Sequence, residues 1–134
     1  MPSTVSSRNE RPIVAVVEAD PARRGLICAL LTSLDIAVNA YESAESYLAS
    51  AAPGARCLIT DVALPGMSGI DLLRCLRERG SMLPMIVVGE DYDVRTAVTA
   101  IREGASDFIE KPRLELAIVQ RVEQLLRSGS GFAS

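Results

Sequence analysis

Along this chain, short runs rich in apolar residues alternate with longer stretches in which apolar residues recur every three or four positions. The runs at 13–17, 36–40, 56–60, 85–88 and 106–109 are too short for helices and read as strands, the most apolar of them buried on both faces. The stretches between them carry helical stripes. Leu26, Ile27, Leu30, Leu31 and Leu34 form the first, and Tyr47 with Leu48 the second. Leu72, Leu73, Cys75 and Leu76 form the third. Val94, Ala97, Val98 and Ile101 form the fourth, and Leu114, Ile118, Val122 and Leu125 the fifth; each stripe is expected to face inward.

Punctuation agrees with the periodicity. Asp20 followed by Pro21 opens the first helix, and Pro53-Gly54 closes the second. Ser68 with Asp71 three residues on is a capping box for the third helix, which Gly80 stops. Asp91 or Asp93 caps the fourth helix and Gly104 ends it; the last helix is expected over 113–127. Five strands alternating with five helices predict an α/β fold, a single doubly wound (βα)5 unit with a five-stranded parallel sheet and right-handed crossovers. Residues 12–127 form the domain, with flexible tails at 1–11 and 128–134. All strand carboxyl ends then meet at one edge, which brings Glu18, Asp61, Gly89 and Lys111 together. Ligands bind at that edge in open α/β sheets.

Composition narrows the chemistry. The hydrophobic share is 49% and the aromatic share only 4%, so aliphatic side chains must fill the core. No apolar run nears the roughly 18 residues of a membrane span, and the polar N-terminus lacks a secretory segment, so a cytoplasmic location is expected. A formal charge of -3 without basic clusters argues against nucleic acid as a partner. Cys28, Cys57 and Cys75 are odd in number and sit in apolar surroundings, which reads as small core residues. There is no histidine, which excludes Ser-His-Asp and Cys-His catalysis and His-ligated metals. The turn Glu18-Ala19-Asp20-Pro21 has no glycine-rich phosphate loop. Ala63 stands two after Asp61, which removes the paired aspartates of a haloacid-dehalogenase-type phosphatase.

The stretch 61–69, Asp-Val-Ala-Leu-Pro-Gly-Met-Ser-Gly, is followed by 104–112, Gly-Ala-Ser-Asp-Phe-Ile-Glu-Lys-Pro. On these two blocks the chain from 11 to 127 resembles a response-regulator receiver domain of the CheY-like fold, near the FixJ-type branch. The resemblance implies the flavodoxin-like strand order 2-1-3-4-5. It implies that Asp61 is the phosphoacceptor, attacking a phosphohistidine, that Lys111 holds a phosphate oxygen, and that Mg²⁺ offsets the charge. Phe108 matches the aromatic residue that reports the switch. The implied partners are a histidine kinase or another two-component protein, with a homodimer possible through the face of helix four, strand five and helix five. No DNA-binding segment follows Arg127, so output by protein contact is expected.

Two of the family's requirements are not met as written. The acidic pair after strand one reads Glu18-Ala19 here, so Ala19 replaces the usual metal ligand and Glu18 with Asp61 is left to hold a cation weakly. Asp20 is committed to capping. Gly89 stands where the family has Thr or Ser, so the switch hydroxyl is missing. The expectation is therefore an atypical receiver with impaired or absent phosphorylation, the alternative being a working Mg²⁺-dependent phosphoacceptor. Glu90, Asp91 and Asp93 crowd the mouth of the site, while Arg23, Arg24, Arg95, Arg102 and Arg121 read as solvated helix positions.

Overall fold

The structure, a computed structural model, describes residues 11–50, 54–89, 94–110 and 114–133. Its elements are β1 (Ile13–Val17), α1 (Pro21–Ser33), β2 (Ala37–Tyr41), α2 (Ala44–Ser50) and β3 (Ala55–Asp61), followed by α3 (Gly69–Glu78), β4 (Met85–Gly89), α4 (Val94–Arg102), β5 (Asp107–Glu110) and α5 (Leu114–Ala133). The strands form one sheet in the order β2-β1-β3-β4-β5, every pair parallel. This is the predicted order and fold class.

Successive strand side chains point to opposite faces, and both faces are covered, which is why the strands are apolar throughout. Val14, Val16, Cys57, Ile59, Ile86, Val88 and Ile109 pack against Ile27 and Leu31 of α1 and Ile118 and Val122 of α5. On the other face, Ala15, Val17, Leu58, Met85 and Val87 pack against Ile70, Leu72, Leu73 and Leu76 of α3, with Ala44 and Ala100. Burial pushes the Cys57 thiol up to about 12, so it behaves as a core residue.

The helix ends follow the predicted chemistry. Asp20 accepts from the Ala22 N–H at 3.2 Å with Pro21 next in line. The Ser68 hydroxyl accepts from Asp71 N–H while the Asp71 carboxylate accepts from Ser68 N–H, the full capping box. Gly80, at φ 83°, ends α3 with Ser81 N–H bonded to Leu76 O at 3.0 Å, a Schellman motif.

Three expectations need correction. The apolar stripe of α4 does not face inward: Val94, Val98 and Ile101 are 69%, 47% and 50% exposed, and the buried residue is Ala100. Periodicity locates an apolar stripe but not the direction it turns, and a small side chain lets this short helix lie close to the sheet. Leu26 of α1 is likewise outside, at 40% exposure, while Ile27 and Leu31 carry the contact. Finally, α5 runs past Arg127 to Ala133, because a formed helix gains one hydrogen bond per added residue even through weak formers. The expectations for the first ten residues, Pro53, Glu90, Asp91, Asp93, Lys111 and Pro112 fall outside the described residues.

Candidate functional site

The register Val17↔Thr60 between β1 and β3 sets the next two residues, Glu18 and Asp61, beside each other where the strands end. Both carboxylates are almost fully covered, with Glu18 2% and Asp61 4% exposed. They face each other within hydrogen-bonding contact. An Asp61 carboxylate oxygen accepts from Ala63 N–H at 3.3 Å, and Glu18 Oε2 accepts from Asp20 N–H at 3.1 Å. Burial raises the pKa of Glu18, and the nearby Asp61 charge adds to that; the Asp20 N–H and the Arg23 guanidinium oppose it.

Glu18, rather than Ala19, is therefore the acid of the first strand that reaches Asp61. Ala19 is half-buried and supplies no oxygen from its side chain. Among the described residues, no three Asp, Glu, Cys or His side chains come together as a metal cage. Asp20 keeps its capping bond, as expected.

Two arginines read as solvated helix positions belong to the site. Arg24 Nη1 donates to Glu18 O at 2.8 Å and to Ala19 O at 3.4 Å, fixing the turn between β1 and α1. Arg23 Nη1 lies 3.6 Å from Glu18 Oε1 and 3.8 Å from Asp20 Oδ2. Charge on a first helical turn gives no sequence signal that separates a site residue from a solvated one. Glu45 at the start of α2 was also missed: its Oε2 accepts from Met67 N–H at 2.7 Å and steadies the loop after Asp61.

Gly69 did leave a signal. Glycine is a weak helix former, and its presence at 69 has a steric cause: a Cβ there would overlap the Asp61 carbonyl. The Gly69 N–H donates to Val62 O at 3.0 Å, so α3 starts directly against the end of β3.

At the end of β4, Gly89 pairs with Glu110 of β5. The Phe108 ring lies over Gly89, such that a Cβ on residue 89 would stand 2.5 Å from Phe108 Cζ. The space that a side chain at residue 89 would enter is filled by the aromatic ring. Beyond it, Val94, Ala97, Val98, Ile101, Asp107, Phe108 and Glu110 line an apolar groove of about 310 Å³. Of the expected site, the structure brings together Asp61 with Glu18 and Gly89 with Phe108. Lys111 lies outside the described residues.

Comparison with known proteins agrees with this geometry. The family described as "Response regulator receiver domain" matches residues 14–123. Transcriptional regulatory protein FixJ of Azorhizobium caulinodans is 40% identical over 114 residues, which cover 84% of this chain and 54% of that protein. FixJ of Rhizobium meliloti is 40% identical over 111 residues, 81% of this chain and 53% of that protein. The chain thus spans about half the length of the curated relatives it matches. Among solved structures, a response regulator receiver protein from Pseudoalteromonas atlantica superposes with a TM-score of 0.82 at 36% identity, covering 88% of this chain and 99% of that one. The structure titled FixJ-N gives 0.78 at 36% identity, covering 87% of this chain and 94% of that one.

Proposed function

Because the chain belongs to the response regulator receiver domain family, we propose that it acts in two-component signalling as an atypical receiver, through protein contact, with impaired or absent phosphorylation of Asp61. Receiver domains are signalling domains, not enzymes. They interact with histidine kinases and phosphotransfer partners, and the family generally binds Mg²⁺ at its acidic pocket. No helix among the described residues is long and apolar enough to cross a membrane.

The observation that carries the proposal is Gly89 beneath Phe108. Phosphoryl transfer relies on positioned donors and cations around the transferring group. Here the donor of β4 is missing and the ring stands in its place. Ala19 removes a second contribution, since hard Mg²⁺ wants carboxylate oxygens. Each loss is worth roughly 1–3 kcal/mol for a charged or charge-assisted partner. Together they slow transfer by about two to four orders of magnitude.

One observation favours the second reading, a working phosphoacceptor. Glu18 is turned onto Asp61, and in that reading Glu18, Asp61 and Lys111 carry the chemistry with Mg²⁺. Intact mass after incubation with a small acyl phosphate and Mg²⁺ separates the two. The atypical receiver gives no 80-Da adduct (about the mass of one phosphoryl group, the anion that the family's cation and donors must hold), and Ala19→Asp with Gly89→Thr restores one. An adduct on the unaltered chain that Asp61→Asn abolishes establishes the phosphoacceptor.

The apolar groove beside α4 is the surface through which we expect contact, including self-association on the face of α4, β5 and α5. Val94, Val98 and Ile101 expose their side chains there. Val98→Glu lowers any association seen by sedimentation velocity; an unchanged profile of an associating protein places the contact elsewhere.

A further inference from the structure

Two facing carboxylates that are nearly fully buried need a cation close by, because burial and like charge both oppose ionisation. Beside Glu18, among the described residues, a cation is already part of the chain. Arg23 Nη1, a single nitrogen, lies between Glu18 Oε1 at 3.6 Å and Asp20 Oδ2 at 3.8 Å, and its side chain is 31% exposed. The backbone holds it there: Asp20 and Pro21 start α1, and Arg24 ties the preceding turn through Glu18 O and Ala19 O. Ala19 offers no oxygen from its side chain and no acidic trio forms among the described residues, so Glu18 and Asp61 are the two carboxylates described there for a hard divalent ion. Octahedral Mg²⁺ keeps several waters and needs free carboxylate oxygens, and Glu18 gives one to Arg23 and the other to the Asp20 N–H. A guanidinium stays charged at every accessible pH and is weakly hydrated, which fits it to a half-buried ion pair.

We propose that Arg23 is a resident cation beside Glu18 and competes with divalent ions for it. This rests on the reading of an impaired pocket and names the group responsible. Glu18 cannot serve a metal while it faces Arg23. Arg23 offsets part of the pocket's negative charge, and a divalent ion must displace it to reach Glu18 Oε1.

The test is a Mn²⁺ titration of the ¹⁵N-labelled chain, read as paramagnetic broadening of the Asp20 and Ala63 amides, with Mg²⁺ alone as a diamagnetic competitor. Removing an opposite charge at this distance is expected to tighten divalent binding by about tenfold in Arg23→Gln. Arg23→Lys, which keeps the charge, stays near the unaltered protein. Arg74→Gln, on α3 and paired with Asp71 and Glu103, stays within about twofold, as a surface charge screened by solvent should. Weak binding by both the unaltered chain and Arg23→Gln overturns the resident cation while leaving the impaired pocket standing. An equal gain in Arg74→Gln overturns it too, by reducing the effect to overall charge. Tight binding by the unaltered chain that Arg23→Gln does not improve defeats both readings. Tight binding that Arg23→Gln improves tenfold defeats only the impaired pocket.

Discussion

Replacing Gly89 by alanine places a methyl carbon 2.5 Å from Phe108 Cζ and 3.0 Å from Phe108 Cε2. Carbon atoms pack at about 3.5–4.0 Å, so the ring must shift by roughly 1 Å or swing out. Forcing an extra carbon into packed surroundings costs about 1–3 kcal/mol. Swinging out instead exposes a half-buried ring, at about half the 1.5–3 kcal/mol of a fully buried one. Alanine returns about 0.5–1 kcal/mol because glycine is costly inside a strand. Because the ring takes the cheaper route, the net expectation for Gly89→Ala is a loss of up to about 1 kcal/mol, read as a lower urea midpoint at unchanged slope. Phe108→Ala removes the obstacle. In that background Gly89→Ala should be neutral or stabilising, giving a coupling energy of about 1–2 kcal/mol in the double-mutant cycle. The sequence holds only two phenylalanines, so fluorophenylalanine labelling reports the ring as one of two ¹⁹F signals. Equal cost in both backgrounds, or a stabilised single variant with an unmoved ring signal, refutes the packing of Phe108 on Gly89.

Three other outcomes follow from the same geometry. Asp35 ends α1 in the left-handed region at φ 63°, with Ile36 N–H bonded to Leu31 O, so Asp35→Gly should stabilise by about 1 kcal/mol in urea unfolding. Its exposed ion pair with Arg11 subtracts little. Glu18 has a folded pKa above the ordinary 4.5, chiefly through burial, so the native state holds its proton more tightly than the unfolded chain. Stability from this group therefore falls as pH rises from 4.5 through the raised folded value, and the penalty is complete above it. The stability of Glu18→Gln relative to the unaltered chain should accordingly improve as pH rises above 4.5 in matched urea titrations; a flat difference contradicts the burial of the carboxylate. The third concerns thiols. Cys57, buried and pushed up to about 12, should resist alkylation until the chain unfolds, while half-buried Cys28 and Cys75 react first, as peptide mapping would show.

How far the sequence revealed the molecule depends on how local each cause is. Apolar runs and caps are local, so the strands, the order around Asp61, the Ser68–Asp71 box and the glycine stops at Gly80 and Gly104 were legible. Strand ends moved by about one residue, as boundaries usually do. The direction of α4 was not legible, because Val94, Val98 and Ile101 mark an apolar stripe whether it meets the sheet or solvent. Asp35 was missed because an aspartate seldom takes the left-handed position that glycine fills. Arg23, Arg24 and Glu45 were missed for a different reason. Their partners are backbone and carboxylate groups set by tertiary placement, and a charge in a helix pattern carries no mark of what it will touch. The absence of a hydroxyl at Gly89 was visible, but not the ring that fills its place, since Phe108 lies one strand away.

The central claim is that the Asp61 pocket does not take up a phosphoryl group in the ordinary Mg²⁺-dependent way. Its most direct test is ¹⁹F NMR of the full chain with beryllofluoride and millimolar Mg²⁺, with Asp61→Asn alongside. The account predicts only the resonances of free fluoroberyllates, the same in both proteins. A protein-bound resonance that needs Mg²⁺ and vanishes in Asp61→Asn would contradict it and establish a working phosphoacceptor.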